Sequence, residues 1–137
     1  MFLIVKDNKF NTDNIEITLH NIYNFYHIFY KNNYIKLSGI PISIKYNKII
    51  EKNNRYFIYF DKDNDVIEKI NMWLNSKIEN FHFIRYDINN NKKYIIANYY
   101  MSNLDTKSNN NIIDLIIYKI KYIKGKYIPI INIILVI

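Results

Sequence analysis

Asp61-Lys-Asp63-Asn-Asp65 sets three carboxylates at alternate positions, the way an EF-hand calcium loop begins. Such a loop also needs glycine at its sixth position and glutamate at its twelfth. Val66 and Met72 stand there instead. Carboxylates where a strand gives way to a helix can also hold Mg²⁺ for a nuclease. No second acidic cluster and no lysine base recur at a telling spacing, so a small metal-dependent nuclease using Asp61 and Asp63 stands only as a rival. The plainer reading is a turn whose carboxylates cap a helix. His20, His27 and His82 lack any short metal-ligand spacing. Gly39 and Gly125, the two glycines, are too far apart to form a phosphate loop, and no serine sits on a nucleophile elbow. The expectation is a protein that is not an enzyme, with no catalytic residue, metal or cofactor.

What remains is the interleaving of rings and cations. Tyr34/Lys36, Lys45, Arg55/Phe57/Tyr59, Lys93/Tyr94 and Lys119/Lys121 fall on outward faces of expected strands. Surfaces of this kind bind single-stranded nucleic acid, because cations follow the phosphates while bases stack on exposed rings. The formal charge of +7 and the pI near 9.4 favour a polyanionic partner. Ile, Asn, Lys, Tyr and Phe are the residues of A/T-rich codons, so part of this enrichment is genomic bias. Arginine is informative by its scarcity: Arg55 and Arg85 are the only two. Base-edge readout of duplex DNA leans on bidentate arginine, which disfavours sequence-specific duplex recognition.

The elements that must position these residues centre on residues 55–86. Arg55-Tyr-Phe-Ile-Tyr-Phe60 is dense in strand formers. Asp65 and Glu68 have capping-box spacing. Val66, Ile67, Ile70, Trp73, Leu74 and Ile78 then form one apolar helical stripe. Strand composition resumes at 81–86. This is the one convincing helix after residue 30, so the rest is expected to be mainly sheet. Residues 2–5 read as a short strand, and Ile15, Ile17 and Leu19 mark a half-buried one. Residues 21–30 fit a helical turn or a strand. Residues 34–46 read as one long strand kinked at Gly39, since a glycine inside a strand pattern marks a bend. Residues 48–54 read as a polar hairpin loop, 89–93 as a loop and 94–100 as a strand. Residues 104–111 read as a polar connection. Residues 112–124 put Ile116, Tyr118, Ile120 and Tyr122 on one face and Ile117, Lys119, Lys121 and Ile123 on the other. Lys124-Gly125 turns that strand into a last one that is apolar on both faces. It is therefore central to a sheet or covered by a second copy.

At 137 residues one domain, 1–137, is expected, with the 112–137 hairpin available for oligomerisation. The absence of cysteine removes disulfides and thiolate zinc sites. The apolar run at 1–5 stops at Lys6-Asp7, too short for a signal-peptide core, and no run reaches a membrane span.

Strand, kinked strand, strand, helix and further strands is the order of an OB-fold, a partly open antiparallel barrel with its helix between strands three and four. Tyr34-Ile-Lys-Leu-Ser-Gly39, Ile44-Lys-Tyr-Asn-Lys48, Tyr56-Phe-Ile-Tyr-Phe60, the helix 66–78 and the strand 115–121 resemble the core of the poxvirus-type single-stranded DNA-binding proteins. The resemblance spans roughly residues 15–80 and 112–124 and lies in hydrophobic patterns rather than invariant motifs. The chain departs from that family in being much shorter and in lacking an acidic C-terminal tail, so partner recruitment is not carried over. The resemblance implies an OB-like barrel with an extra C-terminal hairpin. It implies coating of single-stranded DNA without sequence preference during viral DNA replication in the host cytoplasm. Stacking and charge leave RNA open as a partner, the apolar C-terminal strand points to a homo-oligomer, and no membrane partner is expected. Tyr34, Lys36, Lys45, Arg55, Phe57 and Tyr59 would then form the platform, with Lys48, Lys52, Lys92 and Lys93 as loop cations. A second rival is a non-enzymatic viral structural or host-interaction protein that pairs through an exposed strand edge.

Overall fold

The computed structural model describes residues 11–20, 24–31, 36–60, 65–87, 92–100 and 111–136. Tyr34, Asp61, Asp63, the expected strand 2–5 and most of the connection 104–111 lie outside them. A short 3-10 turn, Thr12–Asn14, leads into β1 (Ile15–His20) and β2 (Phe25–Lys31). Then come β3 (Lys36–Ser38), β4 (Ile40–Lys45), β5 (Lys48–Lys52) and β6 (Arg55–Phe60). The helix α1 (Asp65–Lys77) is followed by β7 (Arg85–Asp87), β8 (Lys92–Ala97), β9 (Tyr99–Tyr100), β10 (Ile112–Ile123) and β11 (Lys126–Val136). The described chain is mainly β with one α-helix.

The strands form two sheets. Seven belong to one, ordered β1-β2-β10-β11-β9, with β3 on β2 and β4 on β10. Four form the other, ordered β5-β6-β8-β7. All pairs are antiparallel except the short β9–β11 contact. The last strand, apolar on both faces, lies inside the larger sheet, with β10 on one edge and β9 on the other.

β10 is the axis of the larger sheet. One edge pairs along β11, while the other pairs first with β4 and then with β2. Ile113, Leu115 and Ile117 are fully buried, and so is Ile120. Strict alternation would put Ile117 and Ile120 on opposite faces. A register shift between Ile117 and Lys119 makes Tyr118 the extra residue of a bulge, so both isoleucines enter the core and Tyr118 stays 47% exposed.

The kink expected at Gly39 is present, and its cause is close approach. β3 pairs with β2 and β4 with β10, so the chain changes partners at this residue. Its φ is +88°, and a Cβ there would lie 2.8 Å from Ile116 Cγ1 and 2.9 Å from the Ile117 carbonyl oxygen. The Gly39 amide donates to the Ile28 carbonyl oxygen at 2.7 Å.

Two stretches differ from expectation. Residues 25–31 are strand throughout, so the helical alternative for 21–30 fails there. Residues 48–52, expected in a loop, form β5. Asn53 and Asn54, both at positive φ, supply the left-handed pair that a two-residue hairpin needs, and Lys124-Gly125 does the same between β10 and β11. With only two glycines in the chain, asparagine takes most of the left-handed positions among the described residues. Lys92 and Lys93 are likewise strand residues, of β8. Because β2 and β5 form where a turn and a loop were open readings, α1 follows the sixth described strand.

On α1, Val66, Ile67, Ile70 and Leu74 are fully buried at helical spacing, while Met72 faces out. They share one core with Ile58, Phe60, Ile95 and Ala97 of the smaller sheet and with the inner residues of the larger one. Lys77, in the last turn, suits the helix dipole and lies 5.7 Å from the Trp73 ring centroid. No helix of the described residues is long and apolar enough to cross a membrane. Replacing Gly39 by alanine combines a disfavoured φ with overlap onto backbone, and should cost roughly 2–4 kcal/mol. Urea unfolding of G39A against wild type checks this, and a loss under about 1 kcal/mol would show that the crossing relaxes.

Candidate nucleic-acid interface

The smaller sheet has one covered face and one open one. Ile58, Phe60, Ile95 and Ala97 turn inward, and Lys93 reaches from that side to Glu68 of α1 at 2.7 Å. The opposite face can be read from the register, since directly opposed residues share a face. Lys48, Tyr59, Tyr94 and Arg85 form one cross-strand row. Ile50, Phe57 and Ile96 form the next, and Lys52 with Arg55 closes the hairpin end. Asp87 and Lys92 stand opposite each other at the far side.

The rings on this face touch. Tyr59 and Tyr94 have centroids 5.2 Å apart, and Phe57 and Tyr94 5.7 Å. Lys48 Nζ lies 4.8 Å from the Tyr59 centroid, within cation–π range. These neighbours leave Tyr59 only 9% exposed although it stands outside the apolar core cluster. Tyr59 is thus the floor of the face, and Phe57 and Tyr94 are the half-buried surfaces on which a planar ligand can lie. An open hollow lined by Ile50, Lys52, Phe57, Tyr59, Tyr86, Asp87 and Tyr94 covers them. Tyr86, on the edge strand, is 60% exposed.

The charges are unbalanced in a telling way. Among the described residues, Lys48, Lys52, Arg55, Arg85 and Lys92 share this face with one carboxylate, Asp87. Lys52 and Arg55 are directly opposed, an arrangement that destabilises a sheet unless an anion intervenes. No carboxylate of the described residues forms an ion pair with either. The contrast is the other opposed pair, Lys31 and Lys36. Glu16 bridges those two at 2.8 and 3.1 Å, and their hydrogen bonds hold its carboxyl below the usual range.

Of the expected platform, Arg55, Phe57 and Tyr59 come together, and Lys48, Lys52 and Lys92 join them from strands rather than loops. Lys36 and Lys45 lie on strands of the other sheet, and Lys36 is engaged with Glu16 and lies over Phe29 at 4.4 Å. Lys93 is turned to α1. Tyr34 lies outside the described residues. Sequence reasoning missed Arg85 and, as a site residue, Tyr94. The alternation of Tyr94 with Lys93 was visible; the pairing of Arg85 with Tyr94 was not.

The larger sheet carries a second ring row, missed because residues 21–30 had no settled period. Phe25, His27 and Phe29 alternate along β2, with His20 stacked on Phe25 at 4.9 Å and Lys119 over Phe25 at 5.5 Å. Its cations are partly neutralised by Glu16. Among the described residues, no three His, Asp or Glu side chains gather to hold a metal ion.

Burial pushes the Tyr59 hydroxyl above its ordinary value of 10.0, with Asp87 and Tyr94 adding to the rise. Tyr127, which donates to Asn24 Oδ1 at 2.9 Å, is raised by burial and by Tyr26 and Tyr122. The folded state therefore holds these protons more tightly than the unfolded chain. Their stabilisation is complete below about pH 10 and is lost as the pH rises through the raised folded values. Thermal melts between about pH 8 and 11 should show this fall, and a Y59F/Y127F variant should show less of it. An identical fall in that variant would assign it to other groups.

Comparison with known proteins adds no relative: no family model, no curated protein and no solved structure matches this chain.

Proposed function

We propose that this protein binds single-stranded nucleic acid without sequence preference on the open face of the four-stranded sheet. The observation that carries the proposal is the opposed pair Lys52 and Arg55, to which no carboxylate of the described residues is paired, beside the ring surface of Phe57, Tyr59 and Tyr94. Phosphates would neutralise the cations, and unpaired bases would stack on Phe57 and Tyr94. The second ring row is the weaker candidate because Glu16 already occupies two of its lysines. The resemblance to poxvirus-type proteins supplies the setting: coating of exposed DNA strands by adjacent copies during viral replication in the host cytoplasm. An OB-like barrel is the fold that goes with that setting, and no catalysis is involved.

Fluorescence anisotropy with labelled oligo-dT across a salt series tests the proposal. Five cations on the face predict that log affinity falls with log salt at a slope of roughly −3. F57A and Y94A should each weaken binding by about 1–3 kcal/mol, roughly 5- to 150-fold. Absence of binding at about 50 mM salt would favour a structural or host-interaction protein. Cleavage of the oligonucleotide only when Mg²⁺ is present would favour the nuclease.

A further inference from the structure

Seventeen lysines and two arginines make up the positive charge of this chain, and both arginines line one cavity. The cavity is about 160 Å³. One wall is the open face of the smaller sheet, through Arg55, Arg85, Ile96 and Asn98. A second is β11, through residues 128–131. His82 and Phe83 form the third.

Main-chain bonds fix these walls. The His82 amide donates to the Tyr127 carbonyl oxygen at 2.9 Å, and the Tyr127 amide donates to that of Asn80 at 2.9 Å. The Asn98 amide donates to the Ile131 carbonyl oxygen at 2.7 Å. Among the described residues, no aspartate or glutamate lines the cavity. It adjoins the stacking surface directly, since Ile96, which lines it, is the cross-strand partner of Phe57.

Three features select the ligand. Guanidinium groups match phosphate oxygens in a bidentate way that lysine does not, so confining arginine to this one place points to phosphate. Two guanidinium groups match the double charge of a phosphomonoester better than the single charge of a diester. The volume is several times what one water needs but well below the roughly 300 Å³ of a pocket for a drug-sized ligand. An internal diester carries chain on both sides and needs a groove open at both ends. A hollow with three walls takes an end.

Building on the single-strand reading of the adjoining face, we propose that the Arg55–Arg85 cavity binds a phosphomonoester, the terminal phosphate of a strand whose last bases stack on Phe57 and Tyr94. The same chemistry is offered by a free mononucleotide, and the two sources are separable by experiment.

Anisotropy is measured with oligo-dT of one length bearing a 5′-phosphate, a 3′-phosphate or hydroxyls at both ends. One phosphorylated form should bind about tenfold more tightly than the hydroxyl-ended strand. In R85K and in R55K, each checked for folding by thermal melting, the ratio of the two affinities should fall towards one, whatever the hydroxyl-ended affinity becomes. Equal affinities for all three strands in the wild type would overturn the proposal and leave the platform standing. Should no strand bind, the platform reading fails, and calorimetry with dTMP against thymidine decides for the cavity alone. Binding of dTMP that R85K abolishes would keep a phosphomonoester site there, now for a free nucleotide, and no binding of dTMP would end it.

Discussion

Everything in this fold depends on β10 finding a partner on both of its edges. A twelve-residue strand buried on both faces over much of its length cannot leave its amides and carbonyls to solvent. Along one edge β11 suffices. Along the other no single strand is long enough, so β4 and β2 share the task. The hand-over is possible only where backbone meets backbone without a side chain between them, and that is where Gly39 stands, against Ile116 and Ile117. The bulge at Tyr118 falls where the partner changes, and it returns Ile120 to the core.

The open face of the smaller sheet follows from this arrangement. The larger sheet and α1 enclose the apolar residues of β6 and β8 from one side, which turns the alternate residues of the same strands away from the core, with β11, His82 and Phe83 bordering them only at the Arg55–Arg85 end. Apart from Ile96, those residues are rings and cations. Natural sheets exposed on one face usually intersperse charges of both signs. Here, among the described residues, one carboxylate accompanies five cations, and two of the cations stand directly opposed. That excess of positive charge is why phosphate-bearing strands are the proposed ligand rather than an apolar partner.

Much of this was legible in the residues. The helix, the bend at Gly39, the turn at Lys124-Gly125 and the shared face of Arg55, Phe57 and Tyr59 all follow from period and turn chemistry. What was hidden has definite physical causes. Alternation says which residues share a side of a strand but not which sheet that strand joins, so Lys36 and Lys45 were grouped with residues of the other sheet. β5 carries Lys-Ile-Ile-Glu-Lys, in which neighbouring isoleucines mask the period, and its turn uses Asn-Asn where glycine is the usual signal. The bulge at Tyr118 inverts the apparent faces of β10 partway along. Arg85 became informative only through the tertiary pairing that sets it beside Tyr94.

Residues 92–100 run from the smaller sheet into the larger one, pairing with β6 and β7 at the start and with β11 at the end. One continuous stretch of main chain is therefore stitched into both layers and ties them together at that point. A displacement of Tyr94 is carried along the main chain to residues 98–100 and passed by their hydrogen bonds to β11, half of the β10–β11 hairpin. The ring-bearing strand β8 is thereby tied to a hairpin whose inner residues Leu115, Ile117, Ile131 and Ile133 lie in the core.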